Sequence, residues 1–150
     1  MLREDLQNSL KEAMKQKDMK TVNAVRLIIA GQKEKDVEAR GKGLEKADDA
    51  TLLAMMQTMI KQRNESVRIY QENNRPDLAA KELDEIEVIT RFLPKQMSVE
   101  EITAAVKDAI AQTGAAGIKD MGKVMGALKG KYAGQMDFGA ASGIIKQLLG

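Results

Sequence analysis

The sequence predicts an all-α protein, and three observations carry that prediction. Its 150 residues include only two prolines, Pro76 and Pro94, and 3% aromatic residues. Helix formers dominate, methionine occurs ten times, and β-branched or aromatic runs are scarce. Apolar residues return at the three- and four-residue steps of amphipathic helices along most of the chain. With 43% apolar and 31% charged residues, the composition is that of a soluble globular protein, either one domain or two small ones.

The elements follow in order. Leu2, Leu6, Leu10, Ala13 and Met14 place a first helix, ending near the cations Lys15 and Lys17. A second runs from Thr21 to about Arg40, apolar through Val22, Val25, Ile28 and Ile29. Past Gln32 its only aliphatic residues are Val37 and Ala39, so its far end is expected to project into solvent before the Gly41–Gly43 break. Asp48 or Asp49 caps a third helix, Ala50 to about Glu72, whose buried side is Met55, Met56, Met59, Ile60, Val67 and Tyr70. Pro76 suits the first turn of a fourth, burying Leu78, Leu83, Ile86, Ile89 and Phe92. Pro94 stops it, because the residue before proline disfavours the α region.

Pro94–Met97 is the best domain boundary. Immediately after it, Ser98-Val99-Glu100-Glu101 reads as a capping box, with Met97 and Ile102 as its hydrophobic staple. Helix five spans Val99–Gln112 and ends at Gly114. A sixth covers Asp120–Lys131, and Asp137 caps a seventh that buries Ile144, Ile145, Leu148 and Leu149. The expected organisation is a four-helix bundle-like N-terminal domain, residues 1–94, and a small three-helix C-terminal domain, residues 95–150.

Little chemistry is open to this chain. It has no histidine and no cysteine, which removes the usual general base, the thiolate nucleophile and most transition-metal ligands. No phosphate-binding loop, dinucleotide fingerprint or nucleophile elbow occurs. Ser98 is one of four serines and is already used as a cap. Glu82 and Glu85, with Asp84 and Glu87 nearby, could form a hydrolytic or Mg²⁺ site, or simply a solvated acidic face that pairs with Lys81, Arg91 or helix three. Arg63, Arg68 and Arg75 could meet Glu82 or Glu85 across the helix three–four hairpin. No catalytic residue, metal ligand or cofactor is expected. Acids in the first turn, no apolar signal core and no long apolar run point to the cytoplasm and away from membranes.

The net charge is only +2, but residues 118–150 hold five lysines against two acids. On the sixth helix Met121, Val124, Met125 and Leu128 form an apolar stripe. Gly122, Gly126 and Gly130 line up on roughly the opposite side, beside Lys119 and Lys123. Each glycine inside a helix costs about 1 kcal/mol relative to alanine. Two readings explain such a ridge. Gly139 and Gly143 repeat the spacing in helix seven, so two small-residue faces could pack together. Alternatively the ridge admits a ligand to the backbone, and the flanking lysines make a phosphate chain a credible visitor.

The chain resembles the GatB/YqeY family. The resemblance lies in Val25-Arg26-Leu27-Ile28, in Lys61 to Ser66, in Arg75 to Glu82, and above all in Phe92 to Ser98 followed by Asp120-Met121-Gly122-Lys123-Val124-Met125-Gly126, Gly134 and Asp137. It implies a free-standing YqeY-like protein with a helical N-terminal part. The C-terminal part is similar to the tail of the B subunit of glutamine-dependent aspartyl/glutamyl-tRNA amidotransferase, which helps to hold tRNA. It further implies a tRNA-facing element of Gly122, Lys123, Gly126, Gly134 and Asp137, to which the sequence adds Lys119, Lys129 and Lys131. Position 135, often arginine in such sequences, is Gln135 here. Family association extends to carbon–nitrogen ligase activity with glutamine as the nitrogen donor. This chain has neither the cysteine nor the nucleotide-binding fingerprint for that chemistry alone. The expected partners are therefore tRNA and a tRNA-modifying or synthetase enzyme, and the alternative role is that of a protein-interaction adaptor.

Overall fold

The computed structural model describes all residues from Met1 to Gly150. Seven α-helices and no strand make up the chain: α1 (Leu2–Lys15), α2 (Met19–Gly41), α3 (Asp49–Glu72), α4 (Pro76–Thr90), α5 (Val99–Thr113), α6 (Met121–Tyr132) and α7 (Phe138–Leu149). A short 3₁₀ turn, Ile118–Asp120, precedes α6. The chain divides into two compact units, Met1–Pro94 and Lys95–Gly150.

In the first unit, α1 packs on α2, and α4 packs on both α2 and α3. Leu6, Val25, Ile28, Leu52, Met56, Val88 and Ile89 form its dry centre. Fully burying side chains of this kind is worth about 1.5–3 kcal/mol each, which makes the apolar face the main stabilising force. Asp48 is the cap of α3, its carboxylate accepting from Thr51 N at 2.8 Å, and Asp18 caps α2 through Thr21. Two residues expected in this core are exposed instead, as is Leu148, expected in the core of the second unit. Met14 is exposed because successive four-residue steps from Leu2 rotate about 120° away from the buried face. Leu83 is exposed because α4 turns Ala79, Val88 and Ile89 inward, an arc that excludes it.

The far end of α2 does not project into solvent. Arg3 reaches across from α1 and grips Asp36 with both terminal nitrogens, at 2.8 and 2.7 Å. The same guanidinium donates to Ala47 O at 2.7 Å, and Ala47 N donates to Asp36 Oδ1 at 2.9 Å. Ala39 and Ala47 are buried beneath this cluster. The Arg3 guanidinium, joined by the Ala47 amide, holds the Asp36 carboxyl down at about 2. Apolar periodicity does not anticipate this anchor, which is polar and spans three segments.

In the second unit, α5, α6 and α7 pack pairwise around Ile102, Val106, Val124, Leu128, Met136, Ala141 and Ile145. The capping box is complete. Glu101 N donates to Ser98 Oγ at 3.2 Å, and Ser98 N donates to Glu101 Oε1 at 3.1 Å. Met97 lies against the same core as Ile102, as a staple requires. Gly114 closes α5 in the left-handed conformation, φ 67°.

Candidate nucleic-acid interface

The approach to α6 is built by local hydrogen bonds. Asp120 Oδ2 accepts from Ala116 N at 3.0 Å, which ties off the turn after α5 and starts the next helix at Met121. Val124 and Leu128 are buried, with Met121, Met125 and Tyr132 partly so, and this fixes the rotation of α6 about its axis. The opposite side therefore faces solvent. Gly122, Gly126 and Gly130 are all exposed there, and a Cβ added to any of them would meet no atom within 4 Å.

This openness argues against one of the two readings of the glycines, helix packing within the chain. Gly143 on α7 is equally unobstructed, so the small-residue faces of α6 and α7 do not mate. The two helices meet instead through the core that contains Val124, Leu128, Ala141 and Ile145. Close helix packing thus gives no account of the ridge.

The lysines are distributed unevenly around it. At 100° per residue, Lys123 and Lys129 flank the ridge about 60° to either side, whereas Lys131 lies roughly 140° from its centre. Lys131 Nζ rests 5.5 Å from the centroid of the Tyr132 ring. Lys119 belongs to the 3₁₀ turn at the start of the ridge. All four are exposed, and no carboxylate bridges any of them. Lys119, Gly122, Lys123, Gly126 and Lys129 therefore form one solvent-facing strip.

Gly134 is a different case. It is buried, with φ 79°, and its carbonyl accepts from Gln96 Nε2 at 2.7 Å. Beside it, Met97 N donates to Gln135 O at 2.9 Å. Gly134 is a turn residue that joins the segment before α5 to the α6–α7 connection, not a surface contact. Asp137 likewise works within the fold, capping α7 through Gly139 N and Ala140 N at 2.9 and 3.2 Å.

The carboxylates of α4 are dispersed rather than convergent. Glu85 is held by Arg63 Nε at 2.8 Å, both side chains being largely buried, while Glu87 pairs with Lys20 and Arg91. Arg68 binds Glu65 and Glu72 of its own helix, and Arg75 binds Asp77. Of the arginines that could have crossed the hairpin, Arg63 alone reaches Glu85. No group of three or more acidic, histidine or cysteine side chains is placed to hold a metal ion.

The sequence profile of the Yqey-like protein family matches residues 3–149. This chain belongs to that family. Among curated proteins, "Altered inheritance of mitochondria protein 41, mitochondrial" of Candida glabrata is 38% identical over 88 residues, 59% of this chain and 47% of its own length. The protein of the same name from Lachancea thermotolerans is 34% identical over 110 residues, 72% of this chain and 57% of its own. Saccharomyces cerevisiae counterparts are 34% identical over 88 residues. This Yqey-like chain spans about half the length of the curated relatives it matches. No helix in it is long and apolar enough to cross a membrane.

Proposed function

We propose that this Yqey-like protein is a non-catalytic RNA-binding module that takes tRNA by shape and phosphate charge along the exposed strip of α6. The observation that carries the reading is the open glycine ridge between unneutralised lysines. Three helix-weakening glycines with nothing packed on them are the feature that needs a cause, and a backbone brought close to a phosphate chain supplies one. Lys119, Lys123 and Lys129 would contact phosphates. Gly122 and Gly126 would let the chain approach. Lys131 would act only on a ligand wide enough to reach around the helix. With four aromatics, all part-buried, a base-stacking platform is not the basis of recognition.

A module of this kind serves an enzyme that handles tRNA, in our reading in the cytoplasm. Any part in glutamine-dependent carbon–nitrogen ligation belongs to a partner that carries the nucleophile and the nucleotide site. The test is binding of the whole chain to total tRNA and to a matched duplex DNA across several salt concentrations. Three or four lysine–phosphate contacts give a slope of about −2 to −4 in log affinity against log salt. Salt-sensitive binding that prefers tRNA supports the reading. Equal binding to the duplex, or none at low salt, removes it.

A further inference from the structure

The two halves of α2 are held by different forces. From Val22 to Ile29 the helix buries Val22, Ala24, Val25, Ile28 and Ile29. From Lys33 to Gly41 it buries Ala39 and nothing else, while Val37 stands in solvent. Between the halves lie Gly31, a weak point in any helix, and Gln32, whose buried Oε1 accepts no hydrogen bond. Beyond the helix, Gly43 turns the chain with φ 81°, and the loop returns to the fold at Ala47. The distal half of α2 thus has a glycine just before it and another just beyond it, and almost no apolar grip.

We infer that the distal half of α2 and loop 42–48 form a strap that opens on its own, with the Arg3–Asp36–Ala47 cluster as its clasp. Four hydrogen bonds converge there, between the first turn of α1, the middle of the strap and its return to α3. Arg3 and Asp36 each take part in three of the four, so removing either the guanidinium or the carboxylate leaves a single bond of the cluster. Opening has a structural consequence. A groove of about 630 Å³ between α2 and α3 is floored by Met55 and Met59 and walled at one end by Glu34 and Lys35 of the strap. The clasp sets whether that wall is in place. At the other border the Gly31 backbone lies close against Met55, so the proximal half keeps its seat when the strap leaves.

Amide hydrogen exchange on the full chain tests this without any ligand. In the wild-type protein the helical amides of residues 35–40 exchange at least tenfold faster than those of residues 24–29. Arg3→Gln then speeds residues 35–40 by a further tenfold or so and leaves 24–29 and the α3 amides 53–60 unchanged. Equal protection of the two halves in the wild type overturns the inference, with no variant needed. A uniform acceleration of the whole first unit by Arg3→Gln, or by Asp36→Asn if Arg3→Gln does not fold, overturns it as well, because the cluster would then be one more part of a single cooperative core.

Discussion

Both units carry unpaired surface cations, Lys11, Lys15, Lys17 and Arg26 among those of the first. Only the first ties several of its cations to carboxylates of other segments. In residues 1–94, Arg3, Lys20, Arg63 and Arg91 each have a carboxylate at 2.7–3.1 Å, supplied by another helix or the next turn. In residues 95–150, Lys119, Lys123, Lys129 and Lys131 have none, although acids are available in that unit. Asp120 and Asp137 are spent on the backbone of turns and caps instead. Charge that is neutralised internally holds a fold together, whereas charge left open at close spacing attracts an external anion. The contrast motivates the proposed role of the second unit, and variants on each side of it test that role.

The largest effect comes from reversing the open charges. The double variant Lys119→Glu, Lys123→Glu removes two of three or four phosphate contacts and adds repulsion, so tRNA affinity should fall roughly tenfold or more at low salt. The far-ultraviolet circular dichroism should not change, since both side chains are exposed and unpaired. Electrophoretic mobility shift measures the first and melting the second. Binding that survives the reversal with the helix intact would mean that Lys119 and Lys123 do not contact the RNA.

Breaking a paired charge should act on stability instead. Arg3→Gln removes charge-assisted bonds from a cluster whose side chains are 21% and 13% exposed, and should cost about 1–2 kcal/mol after allowance for partial solvation. The pH dependence identifies the cause. The Asp36 carboxyl is held at about 2, against an ordinary value of 3.8, so it stabilises the fold above pH 4. That contribution fades as the pH falls from about 4 to about 2, and below this the variant and wild type should converge in denaturant midpoint. Arg68→Gln is the matching control. Its partners Glu65 and Glu72 lie on the same exposed helix face, and its melting temperature should not move measurably. A constant gap between Arg3→Gln and wild type down to pH 2 would mean that lost packing, not the ion pair, explains the change.

What could be read from the chain before folding divides along the range of the interaction. The capping box at Ser98 and the helix stop at Gly114 involve residues three or four apart, so the sequence displays them whole. The α3 cap it narrows to Asp48 or Asp49, of which the fold uses Asp48. The stripe of Val124 and Leu128 was legible for the same reason, since helical periodicity is local. Arg3 and Asp36 are 33 residues apart, and neither stands out in its own segment. The far end of α2 therefore looked free until the fold brought α1 to it. The alignment of Gly122, Gly126 and Gly130 was visible on a helical wheel, but not whether anything covered them. That depended on which face α7 chose, and it used its own apolar stripe. Gly134 is singled out in the sequence only by the family resemblance, and its left-handed, buried role appears only with the Gln96 bond.

The smallest effect is also the sharpest for the ridge. Gly126→Ala places a methyl in open space on a helix, which should raise stability by up to about 1 kcal/mol. Gly31→Ala should give less than that, or a loss, because its methyl would lie 2.7 Å from Met55 Sδ and the thioether must move. The two glycines thus differ in surroundings, Gly31 facing Met55 inside the fold and Gly126 facing open space. If α6 serves a phosphate chain, Gly126→Ala should also weaken tRNA binding while it stabilises the free protein, an opposition no folding defect can produce. A stabilised Gly126→Ala protein that binds tRNA as before would leave the lysines as the contacts and the glycines without a role in binding.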